Sequence, residues 1–207
     1  MSTETRKKSH YSTYHVMEHQ EFWDPHTQEI VKGRIEFNYT AKALSTLQME
    51  KLKKICRLLV DDNNDEVMEY VLQHIDHTLA SECPEAQRED GIPTIKTLLL
   101  DGLDHLDAIS QQYNYLEFLQ SNEASQHATL QEVSNGTGPL QEQWPAKVRK
   151  AFFKKLLSLT VDAYYSHPNI WSEIGYGGPA YPRGYYRTNK GQLDPWEPKP
   201  DIIIPKS

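Results

Sequence analysis

Leu44-Ser45-Thr46-Leu47-Gln48-Met49-Glu50-Lys51-Leu52-Lys53-Lys54-Ile55-Cys56-Arg57-Leu58-Leu59-Val60 is the stretch that decides the fold class. The Ser45 hydroxyl can accept from the backbone three residues on while Gln48 reaches back, and Leu44 can staple onto Met49, so a helix start is written in full. Leu47, Leu52, Ile55, Leu58 and Leu59 then mark one apolar stripe, with Lys51, Lys53, Lys54 and Arg57 expected largely on the wet side. The helix should stop near Val60, at the Asp61-Asp62-Asn63-Asn64 turn.

The same period continues downstream. Val67, Val71, Leu72, Ile75 and Leu79 predict a second helix from about Asp65, and Ile95, Leu98, Leu99, Leu103, Leu106 and Ile109 a third from Pro93. A weaker pair is expected around Tyr115 to Leu119 and Glu123 to Val133, closed by Asn135-Gly136-Thr137-Gly138-Pro139. Pro145 then opens a last helix, carried by Phe152, Phe153, Leu156, Leu157, Leu159, Val161 and Tyr164 to about Tyr165. No strand-period segment precedes residue 195. The expected fold is therefore all-α, a single irregular bundle of five to six helices over residues 41–166.

Two arms bracket it. Residues 1–40 lack sustained periodicity, apart from a short helix capped by Asp24 with Pro25 at its first position, and are expected to be an arm without a core. Residues 167–207 hold seven of the 12 prolines and five of the 10 glycines, which predicts an irregular C-terminal arm with no regular helix.

At 207 residues the length favours one domain. Hydrophobic residues make up 38% and mean hydropathy is −0.70, and no apolar run nears the roughly 20 residues of a membrane helix, so membrane insertion is not expected. Arg6-Lys7-Lys8 is followed by neither an apolar stretch nor a cleavage site, and the expected location is the cytoplasm. Cys56 and Cys83, with 26 residues between them, match no disulfide framework, zinc spacing or redox motif. The net charge of −7 argues against nucleic acid as a partner. It is unevenly spread: residues 61–107 hold 13 acidic and two basic residues, and residues 144–190 eight basic and two acidic.

Candidates for chemistry are few. His74 and His77 on the second helix, with His105 and nearby carboxylates on the third, suggest a helical metal-binding enzyme as an alternative, although no Glu-x-x-His pair is present. There is no Gly-x-Ser-x-Gly elbow and no phosphate loop, and Gly175-Tyr176-Gly177-Gly178 lacks the preceding strand of a dinucleotide site. The informative stretch runs from Tyr164 through Ser166-His167-Pro168, Trp171 and Ile174-Gly175-Tyr176 to Gly178-Pro179-Ala180-Tyr181-Pro182-Arg183-Gly184-Tyr185. Six of the 12 tyrosines lie between Tyr164 and Tyr186. Rigid aromatics and Arg on a Pro/Gly-fixed loop suit the centre of a protein interface, and equally a loop folded over its own bundle. A self-associating interaction module is a further alternative.

On that stretch, supported by Phe22-Trp23-Asp24 and the Leu44 to Leu59 and Ile92 to Leu106 helices, the sequence resembles the gluconate 2-dehydrogenase subunit 3 family over roughly residues 20 to 187. The resemblance implies a small subunit without catalytic residues or cofactor of its own. Its partner would be a large FAD-dependent dehydrogenase of the glucose-methanol-choline type, which binds FAD and oxidises a sugar or polyol, in a hetero-oligomer that the small chain stabilises. The docking segment would comprise Trp171, Tyr176, Gly178, Pro179, Tyr181, Pro182, Arg183 and Tyr185. Several family members carry a twin-arginine export signal that this sequence lacks, which favours a cytoplasmic complex. The tail from Asp194 to Pro205 is expected to be extended, with Ile202, Ile203 and Ile204 suited to joining a partner's sheet edge.

Overall fold

The computed structural model describes residues 9–36, 39–81, 88–184, 186–187 and 189–201; Cys83, Tyr185 and Ile202 to Pro205 lie outside them. The protein is all-α. Among the described residues seven α-helices form, more than the five or six expected, and no strand: α1 Pro25–Lys32, α2 Thr46–Val60, α3 Asp65–Ala80, α4 Ile95–Asn114, α5 Glu123–Asn135, α6 Ala146–Tyr164 and α7 Pro168–Ile174. Short 3₁₀ segments add Val16–Phe22 and Phe118–Gln120. The chain divides into two compact units: residues 39–164 form one, and the described residues up to 36 join those from 165 onward in the other.

The first unit contains α2 to α6. Its helices start where local chemistry satisfies the free N–H groups of a first turn. Ser45 and Gln48 make the reciprocal capping box, and Asn64 and Asn122 cap α3 and α5. Thr94 accepts from Thr97 N, so α4 begins after Pro93 rather than on it. The stripes are buried: Val67, Val71, Ile75 and Leu79 of α3, Leu98, Leu99, Leu103, Leu106 and Ile109 of α4, and Phe152, Leu156 and Leu159 of α6. Full burial of such a side chain is worth about 1.5–3 kcal/mol. Gly102 leaves a notch in α4: a Cβ there would sit 2.1 Å from the Phe152 ring.

Three buried charges inside this unit, Asp76, Lys51 and Arg149, are paired. The buried Asp76 carboxylate accepts from Lys42 N, Ala43 N and Leu44 N at 2.8, 3.0 and 2.7 Å and from the Tyr39 hydroxyl, pinning the segment that leads into α2. Lys51, expected to face water, is buried, with Nζ 2.5 Å from Asp107 Oδ2 and donating to Leu103 O; Leu47, expected inside, is exposed. Arg149 is buried as well, donating to Trp144, Thr137 and Pro139 carbonyls across the loop before α6.

The second unit overturns two expectations. Tyr14, Val16, Trp23, Val31 and Trp171 form a hydrophobic core there, so the first forty residues do contribute one. The Pro/Gly-rich arm also contains a helix, because its prolines and glycines stand at helix boundaries. Pro168 occupies the first turn of α7, where its missing N–H is no loss, His167 caps it, and Gly175 ends it at φ +72°. Asp24 caps α1, accepting from Thr27 N at 2.8 Å, with Pro25 behind it. That N–H holds the Asp24 carboxyl below the usual carboxylate range.

Candidate functional site

The second unit is assembled around the stretch after α7. Three glycines there admit aromatic rings. A Cβ on Gly175 would meet the Tyr11 ring at 2.4 Å, one on Gly178 the Trp23 ring at 2.5 Å, and one on Gly177 would press Trp196 Cδ1 at 3.3 Å. Gly175 and Gly178 also need positive φ, +72° and +78°, which side chains resist. This Gly-Tyr-Gly-Gly run is therefore the bed on which Tyr11, Trp23 and Trp196 lie. It follows α7, faces indole and phenol rings and has no strand before it, so it does not fit a dinucleotide.

Arg183 closes the arrangement. It is buried, its guanidinium carbon stands 4.6 Å from the Trp196 ring centre and 6.0 Å from that of Trp23, and Nη2 donates to Gly177 O and, at 3.1 Å, to Gly178 O. A planar, weakly hydrated cation can stack on indole and bond carbonyls in its own plane at once. The Trp196 ring also meets Phe22 at 5.1 Å and Tyr186 at 5.0 Å. Its backbone carbonyl accepts from the Tyr14 hydroxyl at 2.9 Å, and burial pushes that phenol up to about 12. Asp194 and Glu197 brace the turn: Asp194 Oδ1 accepts from Tyr186 N, Glu197 Oε2 from Asp194 N, and Glu197 pairs with Arg187. The tail is docked as far as Asp201, whose carboxylate accepts from Ser12 and whose N–H donates to His10 O.

The expected docking residues divide by position. Trp171, Gly178 and Arg183 are buried within the unit, Pro179 is half-buried, and Tyr176, Tyr181 and Pro182 are exposed, Tyr181 to 77%. Tyr185 lies outside the described residues. Trp171 is held by Nε1 donating to Tyr165 O at 2.6 Å, with Arg34 over its ring and Tyr176 against its edge. Trp196, Trp23, Tyr11 and Tyr14 were not singled out from sequence as parts of this site. Their signal was composition alone, since the glycines that receive them are far along the chain. A cavity of about 210 Å³ opens beside Trp196, lined by Tyr11, Tyr176, Arg183, Leu193 and Glu197 over the three glycines.

His74, His77 and His105 are placed otherwise. The His105 ring stacks 5.3 Å from Trp144, with Nδ1 2.6 Å from Asp101 O, His74 lies against Tyr70, and His77 is exposed. No group of three His, Cys, Asp or Glu able to hold a metal ion exists among the described residues. Cys56 is buried beside Thr160, and burial pushes its thiol up to about 12, far from a reactive thiolate. No helix of the described residues is long and apolar enough to cross a membrane.

No curated protein and no solved structure matches the chain. The family model of gluconate 2-dehydrogenase subunit 3 matches residues 46–178, from the first residue of α2 to the last glycine of the aromatic bed. With well over half its length so matched, the chain belongs to the gluconate 2-dehydrogenase subunit 3 family.

Proposed function

We propose that the chain is the non-catalytic small subunit of a cytoplasmic, hetero-oligomeric dehydrogenase, binding and stabilising a large FAD-dependent chain that oxidises a sugar or polyol of the gluconate type. Catalytic residues and FAD belong to the large chain. The observation that carries the reading is the exposure of three large rings, Tyr176, Tyr181 and Tyr186, in one segment whose Trp171, Arg183 and Trp196 are buried. A monomer gains nothing by presenting three large rings to water, whereas an interface gains area from rings that lose little side-chain entropy on docking.

Co-expression with a flavin-binding dehydrogenase encoded beside it, followed by size exclusion with flavin absorbance recorded, tests this. The two chains should co-elute with the flavin signal, and Tyr176→Ala with Tyr181→Ala should separate them while leaving the small chain folded. Chains that never co-elute, or a double variant that binds as the parent does, would sink the proposal.

A further inference from the structure

Building on that docking reading, we infer that the corner closing α4, Tyr113 to Glu117, is a further docking site, on the helical unit, and that its occupant is a basic surface of the large subunit. Tyr115 is 91% exposed, more than any other large hydrophobic side chain among the described residues, and Tyr113 and Leu116 beside it are 48% and 44% exposed. Its backbone lies in the left-handed region, φ +59° and ψ 12°, at the position after α4 where glycine or asparagine usually stands because a larger side chain is strained there. Strain and a wet ring thus fall on one residue, and a ring so exposed recovers almost nothing from packing within the unit. A partner that covers it converts the exposure into buried area, and a ring carried on a fixed helix end loses little order on docking.

Charge selects the occupant. Residues 97–146 hold seven acidic residues and no Lys or Arg. Lys51 and Lys54 of α2 answer two of them, Asp107 and Glu123. The Glu117 carboxylate, two positions from Tyr115, is exposed and accepts from Gln120 Nε2 at 3.4 Å, with no cation at ion-pair distance among the described residues. A surface of this sign repels nucleic acid and anionic lipid. A second copy meeting the same corner across a two-fold axis would set acid against acid. Three side chains also fall far short of the about 800 Å² that each partner buries in a standard interface, so the corner adds to the contact made by the tyrosines after α7. An apolar recess rimmed by basic residues on the large chain satisfies the ring and the carboxylate together.

The test titrates the flavin-loaded large subunit with the small chain and its variants by calorimetry, with urea unfolding of each free variant alongside. Tyr115→Gly removes the ring and the strain at once, so its urea midpoint should rise while its dissociation constant increases about ten-fold or more. Tyr115→Phe keeps the ring and should bind within about three-fold of the parent. Glu117→Lys should weaken binding and flatten its dependence on salt. Parent-like affinity in Tyr115→Gly overturns the corner as a docking site; if Tyr176→Ala with Tyr181→Ala still separates the chains, the docking reading stands without it. Absence of any complex with the parent overturns both. Dimerisation of the parent that is lost in Tyr115→Gly, with binding to the large subunit untouched, overturns the assignment of the occupant. Should Tyr115→Gly lose stability and binding together, Glu117→Lys decides, and parent-like affinity and salt dependence in that variant overturn the proposal.

Discussion

The Arg183 guanidinium carbon lies 4.6 Å from the centre of the Trp196 ring while its Nη2 holds the carbonyls of Gly177 and Gly178. One side chain therefore ties the tail, the glycine bed and, through Trp23, the N-terminal segment. Arg183→Ala should lower stability by about 2–4 kcal/mol, the sum of a desolvated stacking contact and charge-assisted hydrogen bonds. Arg183→Lys should recover less than half of that, because an ammonium cannot stack flat and bond two carbonyls together. Urea unfolding followed by tryptophan fluorescence measures both, and equal stability of the Lys variant and the parent would refute the account.

Gly178 and Gly191 separate backbone strain from crowding. Both have positive φ, +78° and +80°, but a Cβ on Gly178 meets the Trp23 ring at 2.5 Å whereas one on Gly191 meets nothing within 4 Å. Gly191→Ala should cost about 1 kcal/mol, from strain alone. Gly178→Ala should cost about 1–3 kcal/mol more, because Trp23 must move in a packed core. The difference between the two melting temperatures is the measurement, and similar values for the two variants would contradict the ring-bed reading of the glycines.

What could be read from the sequence follows from how local each cause is. The α2 cap needs only Ser45 and Gln48, and the α1 start only Asp24 and Pro25; both were legible and both form. The burial of Lys51 depends on Asp107, 56 positions away, which no local pattern announces, and α7 lies in a stretch whose prolines and glycines mark helix boundaries although their number alone argues against a helix. The candidate segment was legible as a segment. Which residues form its frame and which its face was not, since Arg183 is buried by Trp196 on one side and Trp23, 160 positions earlier, on the other.

Asp76 offers a test in the helical unit. Its carboxylate accepts from three successive backbone N–H groups and from Tyr39 Oη, and it is fully buried. Asp76→Ala leaves those donors facing no acceptor and should destabilise the chain by about 3–5 kcal/mol. Asp76→Asn keeps one acceptor oxygen and should lose less. Hydrogen exchange at Lys42, Ala43 and Leu44 should quicken in both variants; slow exchange there in Asp76→Ala would show that the carboxylate does not hold the segment.

His167 makes the second unit sensitive to acid. It is fully buried, and its Nδ1 accepts from Asn169 N at 3.2 Å to cap α7, a role only the neutral ring can fill. Burial, with the nearby Arg34 charge adding to it, pushes the imidazole down to about 4. The unfolded chain titrates at about 6.5, so between the two values the unfolded state takes up a proton that the folded state refuses. Stability is accordingly unaffected above about pH 6.5, falls as pH drops through that window and levels off near the folded value, with a loss of about 2 kcal/mol at about pH 5. His167→Asn keeps a capping oxygen and cannot titrate. Urea midpoints at about pH 7.5 and pH 5 should therefore fall further for the parent than for His167→Asn. Parallel losses in the two proteins would mean that another group governs the acid response.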